Sequence, residues 1–494
     1  MIMRLIQSVC ACALAIAPLR AQGATQISGA TPPAGGTALT LQQAIDVAQR
    51  NSYQARAAVS TRDVARARDR AFDARLLPQF SLAGNVPVYT RSIIGVIQPD
   101  GSTLYRPLEE TRSDINMVVQ QQVPFTGATL SMSSRLNKRE GNSVPETWNS
   151  TPFSVSLSQP IMRSNKIGWD REVNGLQADV AERQYLEARE DIAMQVSVAF
   201  FDHYAAQVSL RNATLNAATN DTLYRLNQGR FEVGKISEND LLQSELALLR
   251  ARAALDGARL EHDRTLAQLR LALNVAPDAP LAITVTSEVP EFAADTALAE
   301  TQALRNLSSI RSIDLQETNA RRGLSEAKYN GGPGATVNAS YGYNASGASR
   351  DAVYRDLTTS QTFAVNVQMP LLTWGARSGD MQAAHSELMR VQSTSKITRE
   401  QARQDAHFAA LQVSLARRQL AIAAKADTVA QKRFEVAYNR YVIGRIDVDQ
   451  LYLAQNEKDQ ALLAYVQSLR GYWQAHYRLR RVTLYDFANG MGIR

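Results

Sequence analysis

The chain has almost no cysteine: two residues, Cys10 and Cys12, among 494. Both lie in a short apolar stretch, Leu5–Leu19, that follows Arg4 and precedes the small residue Ala21. A basic residue, a short apolar run and a small residue make a secretory leader, with cleavage expected before Gln22. A chain cut there carries no cysteine, which excludes a disulfide framework and a thiolate metal site. Reading Cys12 as a lipid-attachment residue would leave too short an apolar run for an ordinary leader.

Long hydrophobic runs are missing as well. Beyond the leader no stretch of eighteen or more apolar residues occurs, so no transmembrane helix is expected and any membrane crossing must use strands. The five histidines, His203, His262, His385, His407 and His476, show no metal-ligand spacing. No glycine-rich phosphate loop and no GxSxG elbow is present, so no enzyme, no cofactor and no metal is expected. Lys and Arg number 54 against 47 Asp and Glu, a net charge of +7. They are scattered singly along helical stretches, which points away from nucleic acid.

Period-two segments come in pairs. Phe80, Leu82, Val86 and Val88 alternate with polar or small residues, as do Phe153, Val155 and Leu157. The pattern returns with Val337, Ala339, Tyr341 and Tyr343, then with Phe363, Val365 and Val367. One apolar face per segment is the mark of a strand.

The halves are copies. Phe153 and Phe363, Pro160 and Pro370, Val233 and Ile443, and Gly234 and Gly444 each differ by 210 positions. Upstream, Ala48–Asn51 matches Ala303–Asn306 and Pro78 matches Pro333, each 255 apart. The difference of 45 is an insertion between the strands of the first copy. Its residues Ile115, Met117 and Val119, the Pro124–Gly127 turn, then Leu130, Met132 and Leu136 predict an extra β-hairpin.

Between strands the chain is helical. Asn165 to Gln228 runs without proline, implying a helix of about 95 Å at 1.5 Å per residue. Ile192, Val196, Ala199, His203, Ala206 and Leu210 step four and three, and so do Ala402, Ala406, Ala409, Val413, Ala416 and Leu420. That spacing predicts helices packed lengthwise, with His203 a packed residue rather than a ligand. Each long helix ends at a glycine turn, Phe231–Lys235 or Tyr441–Arg445, and a shorter helix returns, Glu238 to Leu273 or Val448 to Arg481.

One chain's strands are too few to close a conducting barrel, and open edges are not tolerated in lipid. Three chains would give twelve strands, or eighteen with the inserted hairpins, both feasible counts. The domains expected are a leader over 1–21, a linker over 22–38, a first repeat over 39–274, an inter-repeat linker over 275–297, a second repeat over 298–482 and a tail over 483–494.

In Leu41–Asn51, the Leu157–Ile161 and Val367–Leu371 strand-to-helix junctions and the two glycine tips, the chain resembles the TolC-like outer membrane efflux proteins along its whole length after the leader. The resemblance implies a mainly α fold with a small β part. A trimeric outer-membrane β-barrel would continue into a long periplasmic α-helical barrel, a passive exit duct serving a periplasmic adaptor and an inner-membrane pump. It implies that the adaptor meets the tips at Val233-Gly234 and Ile443-Gly444, with Phe231, Lys235, Tyr441 and Arg445 around them. It also implies a tunnel entrance narrowed by aspartates, which points to Asp240 in the first copy, a residue that reads equally as a helix N-terminal carboxylate with Ser237 as cap. Gln450 stands at the equivalent position of the second, flanked by Asp449. The rival reading is an exported coiled-coil scaffold that spans the periplasm without conducting, which would have no need of the strand pairs.

Overall fold

The computed structural model describes residues 38–493 apart from 142–143 and 286–288. The expected leader over 1–21, including Cys12, lies outside the described residues, as does residue 22–37 of the expected linker.

The duplication appears as equal element lengths. Helices α1 (Leu41–Asn51) and α2 (Tyr53–Arg75) lead into strands β1 (Gln79–Ile97), β2 (Thr103–Val123), β3 (Ala128–Gly141) and β4 (Val144–Ile161). Helices α3 (Lys166–Glu232) and α4 (Glu238–Leu273) complete the first copy. The second copy holds α5 (Thr296–Asn306), α6 (Ser308–Asn330), β5 (Gly334–Gly347), β6 (Thr358–Gln368), α7 (Ala376–Val442) and α8 (Val448–Thr483). A short hairpin of β7 (Tyr485–Asp486) and β8 (Met491–Gly492) follows. α1 and α5 have 11 residues each, α2 and α6 have 23, α3 and α7 have 67, and α4 and α8 have 36. At 1.5 Å per residue α3 and α7 are about 100 Å long. The helix expected to end near Gln228 continues to Glu232, because Gly229 sits within it without interrupting it.

Each long helix has two shorter partners along it. α2 and α4 pack on α3, while α6 and α8 pack on α7. In the second copy Ala402, Ala406, Ala409, Val413, Ala416 and Leu420 are all buried; in the first, Ile192, Val196, His203 and Ala206 are buried while Ala199 and Leu210 are partly so. Among the described residues no helix is long and apolar enough to cross a membrane.

All six long strands form one antiparallel sheet in chain order, β1 to β6. The inserted hairpin is β2–β3, inside the sheet and paired to β1 and β4. The sheet is tied to the helices at Asn165. Its side chain caps α3 by accepting from the Gly168 amide at 3.1 Å and donates to the Pro124 carbonyl in the β2–β3 turn at 2.7 Å. Arg163 joins the copies by donating to the Asn330 carbonyl and to Gln368, each at 3.0 Å.

The core sits near the middle of the long helices, beside the one-residue breaks at Ser52 and Leu307. Ile192, Val196, Phe200, Phe201, Leu269, Leu469 and Tyr472 pack there with Ala406 and Ala410. Beside it Arg480 grips Glu190 through two nitrogens, at 2.9 and 3.2 Å, and Asp486 at 2.5 Å. Burial alone would lower the Arg480 pKa, but Glu190 and Asp486 raise it, so the guanidinium stays charged. Glu190 is only 3 % exposed, so removing either partner would strand a buried charge.

His476, 5 % exposed and stacked among Tyr472, Trp473, Tyr477 and Phe292, has a pKa lowered to about 4, first by burial and then by Arg480. The folded state therefore holds it neutral, whereas an unfolded chain protonates it near its usual 6.5. Its contribution is intact above about 6.5 and is lost as pH falls toward 4, by roughly 3 kcal/mol at most. Thermal unfolding of the full-length protein, followed by circular dichroism between pH 7 and 4.5, should lose stability as pH falls. His476→Phe should flatten that dependence; an unchanged slope would show that other groups carry it.

Candidate functional site: the glycine tips and the two-faced sheet

Both expected turns are built alike. Gly234 and Gly444 adopt φ of +70° and +71°, a region where a Cβ is strained. In the first tip the Gly234 amide donates to the Phe231 carbonyl at 2.9 Å and the Lys235 amide to that of Arg230 at 2.8 Å. In the second, Gly444 donates to Tyr441 at 2.9 Å and Arg445 to Arg440 at 2.9 Å. These bonds satisfy the last carbonyls of α3 and α7 and turn the chain. Val233, Lys235, Ile443 and Arg445 are left exposed at the apex. Phe231 is 40 % exposed, whereas Tyr441 is buried.

The two tips are fastened to each other. The Tyr441 hydroxyl donates to Asn227 at 2.9 Å, with Arg230 placed 5.3 Å over its ring, and Arg230 donates to the Val442 carbonyl at 3.4 Å. One turn into the returning helices, the Gln243 amide donates to Asp449. Around these links Leu223, Tyr441, Val448 and Leu451 form a small separate core.

Of the acidic candidates, Asp449 therefore bridges the copies. Asp240 accepts from the Ser237 amide at 3.1 Å and the Ser237 hydroxyl at 2.8 Å, closing a capping box at the start of α4. Gln450 is exposed. The linking residues Asn227, Arg230 and Gln243 were not singled out from the sequence. The available signal was Asn220 and Asn227, seven apart in α3, both buried where an aliphatic seam residue would be usual.

Asn220 belongs to a cleft of about 590 Å³ between α3, α4 and α8, lined also by Asn212, Asn216, Asp449, Gln455 and Asp459. Asp459 accepts from Asn216 at 2.6 Å and Asn212 at 3.4 Å. Among the described residues, the side-chain oxygens of Asn220, Tyr452 and Gln455 have no hydrogen-bond partner. Burial pushes the Tyr452 hydroxyl pKa up to about 12. Helix packing thus leaves room directly above the tips.

His203, by contrast, is packed in the seam. It meets Thr265 at 3.3 Å and the His262 ring at 5.0 Å, and burial first, then His262, lowers its pKa to about 4. Among the described residues no group of three or more His, Cys, Asp or Glu is placed to hold a metal ion.

At the opposite end the strand register sorts the sheet into two faces. Phe80 lies opposite Val119, Leu82 opposite Met117, Val119 opposite Met132 and Gln121 opposite Leu130. Met132 faces Val155, Leu157 faces Ala339 and Ala339 faces Phe363. One apolar band therefore crosses all six strands and is open to the surroundings, Phe80 at 77 % and Phe363 at 74 % exposure. At its far margin Trp148 donates to Glu146 at 2.8 Å while Lys138 lies 5.6 Å over its ring. An aromatic residue with a wet edge beside an apolar band is what a membrane-facing strand requires at the interface.

Comparison with known proteins agrees with this geometry. Residues 107–275 match the outer membrane efflux protein family. Over 216 residues the chain is 25 % identical to protein CyaE of Bordetella pertussis, a match covering 43 % of this chain and 45 % of that protein, so less than half of the relative's length is spanned. Among solved structures it superposes on a membrane protein from Pseudomonas aeruginosa (15 % identity, TM-score 0.64, 92 % of this chain and 90 % of that one). It superposes equally on the CmeC outer membrane channel of Campylobacter jejuni (16 %, 0.64, 92 % and 86 %). With its paired repeats, two-faced sheet and glycine-turned helices, the chain shares the fold of these outer membrane channels, and its residues 107–275 are similar to the outer membrane efflux protein family.

Proposed function

We propose that this protein is the outer-membrane channel-tunnel of a tripartite efflux or secretion system. It acts as a passive exit duct, without catalysis, from an inner-membrane pump and a periplasmic adaptor to the exterior. The observation that carries the reading is the sheet: six strands, an apolar band on one face, and two free edges at β1 and β6. Free edges cannot face hydrocarbon, so copies must close on one another. Three copies bring eighteen strands, a number that leaves an aqueous channel. A scaffold without a passage would have no use for the apolar band, which counts against that alternative.

The tips supply the entrance. Val233-Gly234 and Ile443-Gly444, with the exposed cations Lys235 and Arg445, form the surface offered to the adaptor. The Asn227–Tyr441 and Gln243–Asp449 links hold the entrance narrow until the adaptor docks, and the cleft above them gives the helices room to part. Asp240 and Asp449 contribute negative charge at that entrance, which favours cations there.

Full-length protein in a planar lipid bilayer should form channels of small conductance, and trimeric material without any conductance would overturn the duct. Tyr441→Phe combined with Asp449→Asn should raise single-channel conductance severalfold while the protein remains trimeric in detergent. An unchanged conductance would place the constriction elsewhere. Gly234→Val and Gly444→Val should each impair substrate export while membrane insertion persists, because the positive φ forbids a β-branched residue at modest cost. Normal export by both variants would remove the tips from the coupling surface.

A further inference from the structure

The inner face of the sheet carries its charge unevenly. Opposite the apolar band, β1 offers Ser81, Ala83 and Asn85, β4 offers Ser154, Ser156 and Ser158, and β6 offers Thr362, Ala364 and Asn366. Only β2 and β3 differ. Their positions on this face include Arg106, Glu110, Arg112, Asp114, Arg135 and Arg139, placed by the pairs Arg112↔Arg139, Asp114↔Asn137 and Asn116↔Arg135. Four arginines against two carboxylates leave a surplus of two positive charges per chain.

The carboxylates are already engaged. Glu110, largely buried, accepts from Arg112 at 3.2 Å and from Arg139 at 2.6 Å. Asp114 accepts from the Asn85 amide at 3.1 Å. Arg106 and Arg135 are exposed and, among the described residues, have no carboxylate partner. On the outer face the balance is different, since Arg91 pairs with Glu109 at 2.9 Å and Lys138 with Glu140 at 2.5 Å. Two arginines directly opposite each other, Arg112 and Arg139, oppose pairing unless a shared anion lies between them. Glu110 serves that pair, and no carboxylate among the described residues serves the other two.

These positions run up the half of the sheet remote from the helices. From Arg135, level with Asn116, to Arg106 they cover ten residues of β2, about 34 Å. A guanidinium is charged at any accessible pH and its fork matches phosphate, sulfate and carboxylate oxygens. We propose that β2 and β3 carry an arginine track on the barrel's inner wall, and that it draws anionic cargo outward past the acidic entrance. This rests on the reading of the sheet as a closed barrel with its polar face inward.

The test uses channels of the full-length protein in a planar bilayer, with inositol hexakisphosphate added to one side at a time. From the barrel side it should block current, and from the tip side it should block far less. Arg106→Gln with Arg135→Gln, both exposed and outside the ion-pair network, should raise the half-blocking concentration about tenfold and shift the reversal potential in a KCl gradient toward cation preference. Lys138→Gln on the outer face should change neither. Block and reversal potential unaltered in the double arginine variant would overturn the track while leaving the duct intact. Absence of any channel from trimeric protein would overturn both.

Discussion

A strand edge that meets hydrocarbon must find a partner, because each unpaired amide or carbonyl there costs several kcal/mol. In this chain the constraint falls on β1, exposed along its entire length, and on β6, whose outer edge is bare. Among the described residues neither edge finds a partner, since the sheet runs in sequence order and ends at both. Everything below the sheet inherits this dependence. Helices that continue strands of a shared wall must themselves stand side by side, which is why their seams favour alanine and close approach over bulk.

The two ends of the molecule solve opposite problems. At the sheet, polar atoms are sorted to one face so that the other can be uniformly apolar. At the tips, polar groups are placed between helices, and the Asn227–Tyr441 and Gln243–Asp449 contacts substitute for packing. Such contacts hold a shape yet give it up to a competing partner more readily than an interlocked core does. The middle, with Phe200, Leu469 and the Arg480–Glu190 pair, is where the helices are fixed.

Much of this was legible in the sequence. The constant offsets located the tips, the strand pairs and the inserted hairpin, because period and spacing are one-dimensional properties that survive folding unchanged. The positive φ of Gly234 and Gly444 followed from glycine alone. What could not be read was partnership between distant segments. Nothing local to Gln243 announces Asp449, 206 positions away, whereas Ser237 and Asp240, three apart, were readable as a helix cap and are bonded as one. The arginines of β2 and β3 were equally silent, since only the pairing of the two strands shows that they share one face opposite the apolar band.

The inserted hairpin has a consequence for circumference. At every level below the sheet a chain contributes four helices, α2, α3, α6 and α7 above and α3, α4, α7 and α8 beneath. Four helices about 9–10 Å apart take up an arc of roughly 36–40 Å. Six strands about 4.8 Å apart and tilted near 40° take up roughly 38 Å, whereas four would take up only about 25 Å. With β2 and β3 in place, sheet and helices are commensurate, and the wall passes from one to the other at constant girth, without a taper.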